Sequence, residues 1–375
     1  MNEYEINDVR SKKDFQSYTF SNYKKSEVKK QLLNDMFKGK IENSCYWTTE
    51  LICAGHFMEL WELILFYACK HIHLGNPMLP AYINLRFQHF KEIVGLGYVN
   101  NELAMRNNDK IRKLFNEIIC VLCISMKKHS YESIKVKTED FNMSILSEKL
   151  KAPSVHYLDK VFQQGDPKEF FIPLNEFAYC IDKECKQSVL ACYWIEWILE
   201  FECFCKKKKE VFECNTRSFP KVPSKFQKDI IWIVWECILE QGKQHMPIIQ
   251  KILRELLDLF CLKFTPACKK RRKFCLYFAA TLLCEHVNTN VPLFTNKHVI
   301  ENVNKHTHLL YKQVKKNERA PNTDYLFQNT TVKSNLEKTI DKLDILNKMP
   351  NKSVSYTHLR AHETGRNLVC RLLLE

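Results

Sequence analysis

The sequence predicts an all-α protein, a multi-helix bundle arranged in two helical lobes. Three observations carry that expectation. Glycine and proline are scarce, 8 and 12 in 375 residues, whereas turn-rich β architectures use both freely. Apolar residues recur at the i, i+3, i+4 and i+7 spacing that lines one face of a helix. Ser, Asn, Asp or Pro stands before several of these stripes and Gly closes others, as helix ends require.

Taken in order, residues 1–24 are polar with mixed charge and read as an irregular arm. Ser26 is placed to cap a helix carrying Val28, Leu32, Leu33 and Met36, which Gly39 ends. A second helix starts near Asn43-Ser44, carries Trp47, Leu51 and Ile52, and breaks at Gly55. A third runs from Phe57 to Ile72, and Gly75-Asn76-Pro77 is a turn signal. Leu79 to Val94 is a fourth. Asp109 then precedes Ile111, Leu114, Phe115, Ile118, Ile119 and Leu122, a clean amphipathic stripe. These elements make an N-terminal lobe over 25–130.

The middle is softer. Ile134-Lys135-Val136-Lys137 alternates, as a short strand would. Short helices are expected at 139–150, 155–164 and 173–183. Gly165 and Pro167 put the domain boundary within 130–170. A C-terminal bundle over 170–316 follows. Its helices run from Ser188 to Cys205, from a Ser224 cap through Ile238, from Pro247 to Phe260, over 271–285, and from Thr295 to Lys316. Trp194-x-x-Trp197 and Trp232-x-x-Trp235 sit in similar settings, but Glu236-Cys237 breaks the register, so no repeat is inferred. Residues 317–352 read as a linker and a short helix.

The last segment is set apart. Val354 to Thr364 and Asn367 to Glu375 resemble translated sequencing-library adapter, with Gly365-Arg366 where a variable index falls. Residues 353–375 are therefore excluded from fold and site reasoning as a non-native tail. What naturally follows residue 352 is left open.

A hydrophobic fraction of 45% and a charged fraction of 27% are ordinary globular values. The start, Met1-Asn2-Glu3-Tyr4-Glu5, is polar and acidic, unlike a secretory signal. Many of the 17 cysteines, Cys120, Cys192, Cys237 and Cys284 among them, sit inside apolar helical stretches. They read as buried free thiols in a reducing compartment, cytosol or nucleus. No apolar run reaches the roughly 20 residues of a spanning helix, so no membrane partner is expected.

Enzyme signatures are missing. Gly39-Lys40 lacks the glycine spacing and following Ser or Thr of a phosphate loop. There is no dinucleotide fingerprint and no Gly-x-Ser-x-Gly elbow. No catalytic residue is nominated and no cofactor is expected. Zinc is the alternative: Cys53, His56, Cys69 and His71 lie in the densest Cys/His stretch, and thiolate with imidazole is a zinc ligand set. Against it, the spacing fits no standard zinc module. Cys120-x-x-Cys123 is mid-helix and reads as core rather than redox chemistry.

The net charge of +14 points elsewhere. Three basic runs stand out: Lys206, Lys207, Lys208 and Lys209; Lys269, Lys270, Arg271, Arg272 and Lys273; and Lys312, Lys315 and Lys316. The second opens a helix, where cations oppose the macrodipole. A basic run kept in that unfavourable place is a candidate for binding phosphate. Together the runs suggest a nucleic-acid footprint, with plain solvated faces as the alternative. An acidic protein is the other partner a basic surplus suits.

The segment Trp47-Thr-Thr-Glu-Leu-Ile-Cys-Ala-Gly-His-Phe57, Leu60-Trp-Glu62, then Lys70-His-Ile-His-Leu-Gly-Asn-Pro77 and Leu79-Pro80 resembles uncharacterised proteins of the nucleocytoplasmic large DNA viruses. The resemblance covers about residues 40–95. It implies a viral factory or virion setting in the host cytoplasm or nucleus, a viral or host protein as a further expected partner, and no activity. Tyr46-Trp47 and Gly75-Asn76-Pro77 are also similar in pattern to the helical collar of clamp-loader-like ATPases, whose ATPase module is absent here. The resulting expectation is a non-enzymatic binding or scaffold protein associated with nucleic acid. The alternatives are a metal-dependent module and a structural virion protein.

Overall fold

A computed structural model describes residues 4–319, apart from 100, 220 and 295. Twelve α-helices run through them, with no strand among the described residues: α1 (Lys25–Phe37), α2 (Ile41–Cys53), α3 (Phe57–Tyr67), α4 (Leu79–Gly95), α5 (Asp109–Ile124), α6 (Met143–Ser147), α7 (Phe171–Cys180), α8 (Ser188–Lys207), α9 (Ile231–Gly242), α10 (Pro247–Phe260), α11 (Cys268–Cys284) and α12 (Lys297–Lys315). The protein is all-α, as its periodicity predicts. The expected linker, final helix and tail beyond 319 lie outside the described residues.

Several helix ends follow local chemistry. Asn108 caps α5, its side chain accepting from the Ile111 N–H at 3.1 Å. Asn296 does the same for α12. Pro247 occupies the first turn of α10, where its missing N–H costs nothing. Two expected caps fail. Ser26 lies inside α1, which starts at Lys25 from an extended Lys24. Ser224 opens only a short 3₁₀ turn, and Asp229 instead accepts from the Ile231 N–H at 3.0 Å to start α9.

Gly55 closes α2 in a Schellman motif: its N–H bonds Ile52 O at 3.0 Å, and the His56 N–H bonds Leu51 O at 2.9 Å. Its φ of 77° is left-handed, and an added Cβ would lie 2.9 Å from Leu103 Cδ2. Gly55→Ala is expected to cost about 1–2 kcal/mol, read as a lower urea midpoint with an unchanged slope.

The helices bury two hydrophobic clusters. One is built on α1 to α5, where the rings of Phe57, Trp61, Phe87, Phe90 and Phe115 meet. The other is built on α7 to α11 around Trp194, Trp232 and Trp235. They interlock, because Leu259 and Leu262 belong to the first, and Cys69 and Leu74 to the second. Residues up to 319 accordingly form one compact unit. α12, which the sequence groups with 170–316, packs on α5 and α2. Its Tyr311 ring is fully buried, with the Arg112 guanidinium 3.9 Å from the ring centroid.

Segments without long periodic stripes remain irregular yet anchored. In the N-terminal arm Ile6, Phe15 and Phe20 are buried, and Thr19 Oγ1 and the Ser21 N–H both donate to Glu50 Oε2 at 2.9 Å. The alternating residues 134–137 form no strand. Over 125–170 the helix expected at 139–150 is reduced to the five-residue α6, and the one expected at 155–164 to a 3₁₀ turn, His156–Leu158. No helix of the described residues is long and apolar enough to cross a membrane.

Candidate anion-binding cleft

Lys269 to Lys273 form the first turns of α11. In sequence they are one basic run. On a helix, positions i, i+3 and i+4 share a face, so 269, 272 and 273 point one way while 270 and 271 point another. The structure buries the first group. Lys269, 5% exposed at its side chain, pairs with Glu202 of α8 and lies 2.8 Å from Asp229. Arg272, 3% exposed, pairs with Glu62 of α3 and donates to Phe260 O at 2.6 Å. Lys273 reaches both oxygens of Glu196 at 2.8 Å. These carboxylates offset the unfavourable placement of cations at a helix start. They also correct the expectation of a continuous phosphate-binding patch over 269–273. Lys270 pairs with Glu200 at 2.6 Å while remaining half exposed, and Arg271 is exposed.

The other basic runs divide. Lys206 to Lys209 are exposed at the end of α8. Lys206 shares Glu202 with Lys269, at 2.6 Å, which brings the first two runs side by side. The Lys208 ammonium sits 4.3 Å from the centroid of the Phe204 ring. Lys312, Lys315 and Lys316 end α12, on the helices of the other cluster.

Beside Arg271 a cleft of about 670 Å³ opens between α3, the 261–267 loop and the start of α11. Five cations line it, Lys29, Lys263, Lys270, Arg271 and Arg272, against two carboxylates, Glu59 and Glu62. Lys29 pairs with Glu59, Arg272 with Glu62, and Lys270 with Glu200. Burial pushes the Glu59 carboxyl up, but Lys25 and Lys29 outweigh it and hold it below the usual range. Lys263 and Arg271 have no carboxylate partner among the described residues. Arg271 Nη2 donates to Cys268 Sγ at 3.4 Å, and Thr265 Oγ1 lies 3.3 Å from the same sulfur. Phe66 and Phe274 also line it. Phe66 and Phe274 meet edge to face at 5.4 Å, and the Lys70 ammonium lies 5.2 and 5.1 Å from their centroids. Sequence reasoning missed Lys29, Lys263 and the two rings. Lys263 stands alone between Leu262 and Phe264 and takes a φ of 42°, which no local pattern announces.

The suggested zinc quartet is not brought together. Cys53 ends α2, and Gly55 breaks the helix before His56, so their i,i+3 spacing never becomes a shared face. Cys53 is fully buried, and burial pushes its thiol up. The His56 Nε2–H donates to Tyr18 O at 3.1 Å. Cys69 Sγ sits 3.6 Å from Cys275 Sγ, a contact that, with burial, raises its thiol well above the ordinary value. His71 Nδ1 pairs with Ser130 Oγ at 2.6 Å, and burial with the nearby Lys70 pulls it down to about 4. His56, Cys69 and His71 each meet a different partner, and the Cys53 thiol is enclosed by the core. Among the described residues no group of three or more His, Cys, Asp or Glu side chains is placed to hold a metal ion. The sixteen described cysteines are free thiols, all buried except Cys185 and Cys203. Comparison of the chain with known protein families, curated proteins and solved structures finds no match.

Proposed function

We propose that this is a non-enzymatic binding protein that holds single-stranded nucleic acid in the cleft between α3 and α11. One observation carries the reading: Lys263 and Arg271, without carboxylate partners among the described residues, line the same cleft as the half-buried Phe66 ring. Cations that track phosphates beside a ring that can stack a base are the two parts of a sequence-tolerant single-strand site. Lys270, half exposed, and Lys206 to Lys209 extend the positive surface toward the end of α8. The resemblance over residues 40–95 adds a viral factory or virion in a eukaryotic host to this proposal.

The test uses the full chain and a labelled oligo-dT strand, titrated with salt. Binding should weaken steeply as salt rises. Lys263→Gln and Arg271→Gln should each lower the slope of log affinity against log salt by about 0.7. An unchanged slope in the double variant, or no binding at about 50 mM salt, overturns the reading. Both residues are exposed and free of ion pairs, so neither change threatens the fold.

A further inference from the structure

We infer that the single strand proposed above continues past Lys263 into a second cleft, where a nucleobase is taken up beside Tyr98. The inference rests on that proposal and adds to it the path of the strand and a separate base-binding part. The second cleft opens between the start of α3, the end of α4 and the 98–105 segment. It holds about 410 Å³, within the range of small-ligand pockets.

The two clefts share an edge. Met58, Glu59 and Lys263 line both of them. Lys263, exposed and without a carboxylate partner among the described residues, therefore stands where a strand would pass from one cleft to the other. Local backbone then fixes the ring beyond it. Gly97 takes a φ of 126°, which L side chains rarely adopt, and turns the chain after α4. The Tyr98 N–H bonds Val94 O at 3.0 Å, and the Tyr98 hydroxyl accepts from Asn108 Nδ2 at 3.1 Å. Held at backbone and hydroxyl, the half-buried ring loses little freedom when a ligand arrives.

The chemistry of the second cleft differs from that of the first. Its other charged and polar groups are engaged. Lys12 pairs with Glu102, Glu59 pairs with Lys29 and with Lys25 at 2.8 Å, and His56 bonds Tyr18 O. What remains open is apolar and aromatic: Val99 is 66% exposed, and Val94 and Tyr98 are half-buried. The buried Phe90 and Met105 also line it. A phosphate entering such a recess would lose water without gaining a free cation. A nucleobase loses far less and gains a ring to stack on, a contact tolerant of base identity. The shared edge decides the occupant. A base in the recess leaves its own phosphate at Lys263, whereas an apolar peptide side chain would leave that cation unanswered.

The experiment compares binding of the full chain to oligo-dT of about 12 nucleotides and to an abasic strand of the same length. Tyr98→Ala should weaken oligo-dT about tenfold and the abasic strand less than about twofold. The salt slope should not move, because a stacking contact is lost and no phosphate contact. Tyr98→Phe keeps the ring and should recover most of the loss. Val99→Glu, at an exposed position, puts a carboxylate beside the recess and should also weaken oligo-dT. Oligo-dT affinity indifferent to Tyr98→Ala and Val99→Glu, or equal losses for the two strands, overturns the second part. If Lys263→Gln and Arg271→Gln still lower the salt slope in that case, the first cleft alone holds the strand. No binding of either strand to the wild-type chain overturns both proposals.

Discussion

Replacing Lys269 with alanine is expected to unfold the protein in large part, by about 3–5 kcal/mol, because it strands buried carboxylates. Glu202 and Asp229 each have side chains only 7% exposed, and Lys269 lies between them. Burial alone would push the Glu202 carboxyl up, but Lys269 and Lys206 outweigh it and hold it below its ordinary value. Without Lys269, two negative charges share one buried site. Arg272→Ala should behave similarly, since it frees Glu62 and the Phe260 carbonyl. Urea midpoints of Lys269→Met alone, and of Lys269→Met with Glu202→Gln and Asp229→Asn, check the argument. The single variant should fall sharply and the neutralised triple variant should regain most of the loss. If Lys269→Met alone kept the wild-type midpoint, the triad would contribute nothing. The consequence for the proposed function is direct. Alanine across 269–273 would abolish the proposed nucleic-acid binding by destroying the scaffold, whereas substitution of Lys263 and Arg271 tests binding apart from folding.

That contrast marks what the sequence could and could not disclose. Helical periodicity is a property of one chain segment, so α5 with Ile111, Phe115, Ile118 and Leu122 was legible to within a residue or two. Which helix another helix packs on is not local. The stripe Ile300, Thr307, Tyr311 and Val314 announces α12 without saying that it lies on α2 and α5. Charge runs mislead for a related reason. Adjacent lysines look like one patch, but the turn of the helix sends 269, 272 and 273 inward, and the carboxylates that meet them come from α3, α8 and the 229 position. The Cys/His stretch misleads because hydrogen-bond partners such as Tyr18 O and Ser130 Oγ lie 38 and 59 residues away. His73 is a further case: its φ is 31° and its Nε2–H donates to His129 O, 56 residues away.

Arg217 should prove the most costly single side chain to remove. It sits 1% exposed in an irregular segment and uses all five of its donors. Nη1 and Nη2 grip the two oxygens of Asp166 at 2.5 and 2.6 Å. Nε reaches Glu236 at 2.9 Å, and the remaining protons go to Asn215 O and Val161 O. Arg217→Ala leaves the fully buried Asp166 unpaired, an expected loss of about 3–5 kcal/mol. Arg217→Lys should recover little, because three rotatable donors cannot reproduce the fork. The same pair sets a pH signature. Burial pushes the Asp166 carboxyl up, but Arg217 and the Gln163 and Asn215 N–H groups outweigh it and hold it below the ordinary 3.8. A carboxylate depressed in the folded state stabilises above its unfolded pKa, and that stability is lost as pH falls through the folded value. The stability gap between wild type and Asp166→Asn should therefore be widest above about pH 5 and shrink on acidification below 3.8. A gap constant down to about pH 2 would mean the carboxylate is not ion-paired as drawn. The staple also reaches the cleft. The Arg217 N–H bonds Gln227 O at 3.0 Å, and the Cys214 N–H bonds Lys228 O at 2.9 Å. Those bonds hold Asp229 against Lys269. Loss of Arg217 should thus loosen the start of α11 and weaken the proposed oligonucleotide binding before the core melts, with Lys263 and Arg271 still in the chain but the cleft they line no longer held in shape.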